Sequence, residues 1–177
     1  MRNKFILASA LSAFALIGVA SAQTGSGTLG VTATVQGSLN LTFVTDASGL
    51  AVTGTGTSVA SLPFGNVRMF GGTVPANVTK TVNGTTSFSL ATPFDVRVDL
   101  ANSASATYIL SALLATADAA NVWLLGATDI SASGTASTLT ATGAYAAAVP
   151  YTLHLTVPAT EAAGLITNSI GFTAVGN

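Results

Sequence analysis

The chain has 177 residues, of which only 6% are charged, with a single histidine and no cysteine. Five cations against six carboxylates cannot form the basic stripe that neutralises phosphates, which excludes nucleic acid as a partner. One His and no Cys also exclude a Cys/His zinc site and a disulfide framework. An apolar content of 49% argues for a packed fold rather than a disordered Ser/Thr stalk.

Residues 1–22 carry Arg2 and Lys4, an apolar run over 5–20 broken by Ser9, Ser12 and Gly18, and Val19-Ala20-Ser21-Ala22 ahead of Gln23. This is the layout of a bacterial-type secretory signal peptide rather than a membrane anchor. The expectation is export through the periplasm to a secreted or cell-surface location, with no transmembrane anchor after cleavage. Residues 23–177 then make one domain's worth of chain, long enough for one core. Losing Arg2 and Lys4 leaves Arg68, Lys80 and Arg97 against Asp46, Asp95, Asp99, Asp118, Asp129 and Glu161, a net charge of −3. A surface of Thr and Ser with so few charges resists association poorly.

Residues 29–43 alternate strictly: Leu29, Val31, Ala33, Val35, Gly37, Leu39, Leu41 and Phe43 on one parity, Gly, Thr, Gln, Ser and Asn on the other. Period two marks a half-buried strand, and its place near the mature terminus lets it complete its own sheet or a neighbour's. Gly37, on the inward parity, is where a bulge divides the run. If it does, Leu39, Leu41 and Phe43 belong to the domain's own sheet and residues 29–35 are free to donate. Residues 23–36 are therefore read as an N-terminal donor strand.

Asp46-Ala47-Ser48-Gly49 supplies turn chemistry. Residues 50–52 read as a short strand, 54–58 as a loop, and 59–67 as a strand that Pro63 confines to an edge or bulge. Asn83-Gly84 between 78–82 and 85–90 is a strong hairpin signal. Pro93 is expected to end the second of these strands. Phe94, Val96, Val98 and Leu100 then alternate with Asp95, Arg97 and Asp99, one face buried and one wet. The segments 108–115 and 122–125 are apolar on both parities, as central strands are; a helix over 110–120 is the competing reading of the first. Asp118 to Asn121 reads as the turn between them. Residues 131–143 make an edge strand or a long loop. Tyr151, Leu153, Leu155 and Val157, followed by a turn over 158–164 and by Ile166, Asn168, Ile170, Phe172 and Ala174, predict a terminal hairpin. The total is about eight to ten short strands with turns every 8 to 12 residues. That pattern predicts an all-β fold, an antiparallel two-sheet immunoglobulin-like β-sandwich, with Phe43, Phe88, Phe94, Tyr108, Trp123, Leu153 and Phe172 as core candidates.

No constellation of catalytic groups emerges. His154 lies on the polar parity of its strand, with no Gly-x-Ser-x-Gly elbow in the chain. Asp95 and Asp99 share a face some 13 Å apart by the usual rise, too far for a glycosidase pair, with Arg97 between them. Asp46, Asp118 and Asp129 could offer oxygens to calcium, yet no Asp-x-Asp spacing supports a site. Gly25-x-Gly27-x-x-Gly30 matches the dinucleotide string but opens a strand rather than a helix. Asn40, Asn77 and Asn83 stand in sequons and read as ordinary Asn of strands and turns. The expectation is accordingly no catalytic residue, no metal ligand and no cofactor: not an enzyme.

Residues 31–43, Leu62-Pro63-Phe64-Gly65, and the closing stretches 151–158, Ala163-Gly164 and 170–173 together resemble secreted bacterial immunoglobulin-like proteins, including spore coat protein U-like pilins of the chaperone-usher class. The chain departs from that group in lacking a cysteine pair and in closing on Gly176-Asn177 rather than an aromatic. The resemblance implies a structural subunit of a filament, pilus (fimbrium) or coat that assembles by strand addition. Its partners would be further copies of itself, as a homo-oligomer or polymer, and a secretion chaperone. Leu29, Val31, Ala33, Val35, Leu39, Leu41 and Phe43 would be the inserted face. The rival expectation is a monomeric extracellular module for surface glycans, with Trp123, Tyr108 or Tyr145 as a stacking platform.

Overall fold

The computed structural model describes residues 28–132 and 134–177. The stretch read as a signal peptide, 1–22, the first five residues (23–27) of the segment read as a donor strand, and half of the Gly25–Gly30 string lie outside the described residues. The chain divides after Thr34 into two units. In the first, residues 28–34 form no strand and are exposed.

The second unit, Val35–Asn177, holds nine strands among the described residues and no helix. They are β1 (Ser38–Val44), β2 (Thr79–Asn83), β3 (Ser87–Ala101), β4 (Tyr108–Leu114), β5 (Val122–Leu125), β6 (Thr128–Asp129), β7 (Ser137–Gly143), β8 (Ala148–Pro158) and β9 (Ile170–Gly176). Six build one antiparallel sheet in the order β1-β3-β8-β5-β6, with β2 also on β3; the second sheet is β7-β4-β9. Their apolar faces meet: Phe172 of the small sheet packs edge-on against Phe43 and Phe94 of the large one, at ring-centre distances of 5.1 and 6.0 Å. This is the β-sandwich-like arrangement expected of alternating strands.

Side-chain alternation decides which residues enter the core. Along β3, Phe88, Leu90, Phe94, Val96 and Val98 are buried, while Arg97 is exposed and chelates Asp99, Nε to Oδ1 at 3.0 Å and to Oδ2 at 3.1 Å. Leu153, Leu155 and Val157 of β8 and Tyr108, Leu110, Ala112 and Leu114 of β4 complete the centre. Of the seven core candidates five are buried; Phe43 and Phe172 are half-buried against the same cluster.

Pro93 does not end a strand. It sits inside β3, opposite Thr152 of β8. The bond from Gly126 N to Thr152 O (2.8 Å) shows that even residues of β8 turn their backbone toward β5, so odd residues of β3 turn away from β8. The missing N–H of Pro93 therefore points to the far side of β3, between the last partner on β2, at Ala91, and the first on β1, at Asp95. No ladder bond is lost there. Residues 46–50 fill this gap. Asp46 Oδ1 accepts from Ser48 N (2.7 Å), Leu50 N donates to the buried Thr92 hydroxyl (2.7 Å), and Gly49 lies so close that a Cβ would overlap the Pro93 carbonyl.

Two further expectations are corrected. Residues 50–52 and 59–67 form no strands; they are joined only by a bridge between Thr53 and Ser61, and Leu62, Phe64 and Val67 lie against the core as loop residues. The terminal strands are not a hairpin, because β8 already has β3 and β5 on its two sides and the chain must cross to β4 to find a free edge. Of the two readings of 108–115 the strand forms, as β4, and the competing helix does not. The Asn83-Gly84 hairpin forms, with a loop of residues 84–86 in which Gly84 takes φ +59°. Of residues 131–143, Ser137–Gly143 form the edge strand β7.

Candidate functional site

Sheet edges expose unpaired backbone groups and are normally blunted. Here β6 is two residues long. β7 is irregular, with register shifts against β4 on both sides of Leu110. β1 is covered at Phe43, whose N–H donates to Thr57 O (2.9 Å) and whose carbonyl accepts from Gly56 N (2.6 Å). β2 carries Lys80, whose Nζ donates to the carbonyls of Arg68 (3.2 Å) and Gly71 (2.7 Å).

β9 has none of these devices. Ile-Gly-Phe-Thr-Ala-Val-Gly contains no charge and no proline, and it pairs with β4 through seven consecutive residues without a shift. The ladder extends at both ends, Ala115 N to Ser169 O and Asn177 N to Thr107 O, each 2.8 Å. Odd residues of β9 thus bond to β4, and by alternation Ile170, Phe172, Ala174 and Gly176 direct their N–H and C=O groups to the open side.

Beside this edge lies an apolar cleft of about 1330 Å³. Phe43, Leu90, Phe94 and Leu155 of the large sheet line it, Ile170 and Phe172 of β9 form part of its wall, and the loops 58–68 and 163–169 frame it, with Val59 and Leu165 exposed there. A second cavity of about 190 Å³ lies at the other end of β9, between Gly176, Leu39 and Leu100. Gly37 also borders it, its backbone so near Asn102 O and Ser103 that a Cβ would sit 3.1 and 3.0 Å from them.

The seven residues read from sequence as one inserted face fall into two groups. Leu39, Leu41 and Phe43 are inward residues of β1, paired with β3 and packed against the core. Leu29, Val31, Ala33 and Val35 are exposed, the three larger ones at 89, 81 and 70%. What sequence reading missed is the acceptor side. The alternation of residues 170–174 was legible, but nothing in it signals that the strand has one neighbour instead of two.

The candidate chemistry residues are dispersed. His154 faces outward on β8 with Ala91 and Leu124 as cross-strand neighbours. Among the described residues no three His, Asp or Glu side chains form a metal-holding group. Asp46 and Asp129 serve their own turns, bonding Ser48 and Ser131, and these bonds hold both carboxyls below the usual range. Burial acts to raise the Asp118 pKa, but bonds from Trp123 Nε1 (2.8 Å), Asn121 and the backbone of Ala120 outweigh it and leave the carboxyl lowered. Asp95 moves the other way, raised by burial and then by the Asp46 charge. Trp123 and Tyr108 are buried, and the Tyr145 hydroxyl bonds Ser105 Oγ (2.8 Å) and Thr107 O (2.7 Å).

No protein-family model, curated protein or solved structure matches the chain.

Proposed function

We propose that this protein is a non-enzymatic, exported structural subunit that assembles at the cell surface into a filament, pilus or coat by β-strand addition. Residues 29–35 of one copy pair with the open edge of β9 in the next. The observation that carries the reading is the coincidence, in one chain, of an unguarded seven-residue edge beside an apolar cleft and an exposed seven-residue alternating segment. Main-chain bonds to such an edge supply affinity, and alternate side chains entering the cleft supply register.

Strand order supports an immunoglobulin-like reading of the fold. β1-β3-β8-β5 follows the A-B-E-D sheet of a constant-type domain, β4 and β9 take the places of C and F, and the place of the last strand, G, is open. A head-to-tail contact of this kind grows an open polymer rather than a closed ring. Before assembly the apolar cleft needs cover, which is the role for a secretion chaperone.

Deleting residues 23–36 tests the reading. The truncated subunit should remain folded by circular dichroism and elute as a monomer, while the full mature chain forms polymers visible by negative-stain microscopy. Polymers that persist after the deletion would overturn the proposal.

A further inference from the structure

We propose that the end of the apolar cleft beyond β9 binds a fatty acid, with its aliphatic tail over Leu90, Leu155 and Trp123 and its carboxylate on Arg68. Where β9 lies over the large sheet, Gly176 stands by Leu39 and Leu100, and Phe172 packs on Phe94. Falling residue numbers along β9 therefore run toward falling numbers along β3. From Phe94 the cleft continues to Leu90, about 13 Å further at the usual rise. β9 follows only from Phe172 to Ile170, about 7 Å, after which the loop 163–169 takes its place in the wall. A strand added along β9 covers the near end of the cleft and leaves the far end to another occupant.

The floor of the far end is one row across the large sheet. Leu90 of β3 pairs with Leu155 of β8, and Leu155 pairs with Trp123 of β5. Three apolar side chains over two strand spacings, about 10 Å, make a track for an extended hydrocarbon. Trp123 Nε1 is already bonded to Asp118, so this floor offers no free side-chain donor or acceptor to a sugar or a peptide. The whole cleft, at about 1330 Å³, exceeds the usual range of about 300–1,000 Å³ for small-ligand pockets, which leaves room for a tail beside the side chains of a strand.

Arg68 is the only charged residue among those lining the cleft. It is exposed, and the one salt bridge among the described residues joins Arg97 to Asp99, so no carboxylate of those residues occupies Arg68. Its backbone is held from behind: Lys80 Nζ donates to the carbonyls of Arg68 (3.2 Å) and Gly71 (2.7 Å). Gly72, at φ +70°, lies so close that a Cβ there would sit 3.9 Å from Arg68 Cβ and Cδ. A guanidinium presents paired N–H donors that match one carboxylate in charge and in shape. One cation at the wall of an uncharged cleft is the complement of one anionic head on one apolar tail.

Trp123, the one tryptophan of the chain, reads the position of the tail. Bromine quenches indole fluorescence on contact, so ω-bromododecanoate, added to the mature chain below its micelle concentration, should quench Trp123, and plain dodecanoate should relieve the quenching by competition. ω-Bromododecanol should bind at least about tenfold more weakly, the loss expected when a charge-assisted bond is removed. Arg68→Gln should bring the acid down to the affinity of the alcohol and leave the alcohol unchanged, a pattern that loosening of the loop alone would not give. Trp123 fluorescence that ignores ω-bromododecanoate, in a chain whose circular dichroism shows intact β structure, overturns the proposal. So does equal quenching by acid and alcohol, or a preference for the acid that survives in Arg68→Gln. None of these readouts depends on filament formation.

Discussion

The inward residues of β3 and β4 and those of β1 and β9 are the same kinds of side chain in the same alternation, yet they are not equally covered. Val96, Val98, Leu110, Ala112 and Leu114 are fully buried, whereas Leu39, Leu41, Phe43, Ile170, Phe172 and Ala174 are only partly so. The strands of the first group each have a neighbour on both sides; β9 has one, and β1 has one plus a loop crossing at Phe43. Fully burying a Leu or Phe contributes roughly 1.5–3 kcal/mol, so the flank forgoes part of that at several positions at once. The deficit at β1 and β9 lies on the side of the sandwich where β9 presents its open backbone; on the other edge of the small sheet Leu139 of β7 is partly covered too. One added strand would satisfy both the backbone and the apolar faces.

The contrast can be broken most forcefully at the centre. Leu110→Ala should destabilise the subunit by about 2–5 kcal/mol in denaturant titration, equally with residues 23–36 present or deleted, because its surroundings are complete in either state. Next in size, Gly49→Ala should cost about 1–3 kcal/mol, since the new methyl overlaps the Pro93 carbonyl and pushes the 46–50 segment out of the gap between β1 and β2. On the flank, Leu41→Ala should cost only about 1 kcal/mol in the truncated subunit, where the side chain is half-covered. Adding a synthetic peptide of residues 28–36 should raise the melting temperature of that subunit and enlarge the Leu41→Ala loss. Equal losses with and without peptide would erase the distinction between centre and flank.

The smallest effects are electrostatic and lie away from the flank. The Asp118 carboxyl has a lowered folded-state pKa, so its stabilisation is complete above the ordinary carboxylate value of about 4 and is lost as pH falls through the lowered value. Fluorescence of Trp123, the one tryptophan, should report a transition in that acid range that Asp118→Asn removes. Asp95, whose folded pKa is raised, has the opposite sign: its contribution is present in acid and fades as pH rises through the raised value. Both groups are largely solvated, so both effects are modest.

How much of this was legible before the fold is clearest residue by residue. Phe94-Asp95-Val96-Arg97-Val98 and Leu153-His154-Leu155-Thr156-Val157 announced their buried and wet faces without ambiguity. Gly37 is not a bulge between two strands: β1 begins after it, at Ser38, and residues 28–37 form no strand. Pro93 misled, because the rule that proline ends a strand assumes a continuous partner on its N–H side, and β3 has two short partners there with a gap between them. Residues 59–67 misled for a related reason: their apolar residues cover the core as a loop, a role that needs burial but no ladder. The alternation and exposure of residues 29–35, on which the proposed donor role rests, could be anticipated from the sequence. The acceptor half could not, since it consists of backbone groups and a cleft assembled from β1, β3, β8, β9 and two loops.

By itself the sequence determined which side chains face in, because the period of two is a property of every extended chain and hydrophobicity selects the inward parity. Only the tertiary structure decided which strands are neighbours. Every residue but proline offers the same backbone donor and acceptor, so nothing in residues 170–176 could say that β9 would cross to β4 rather than return along β8, or that its other edge would be left open.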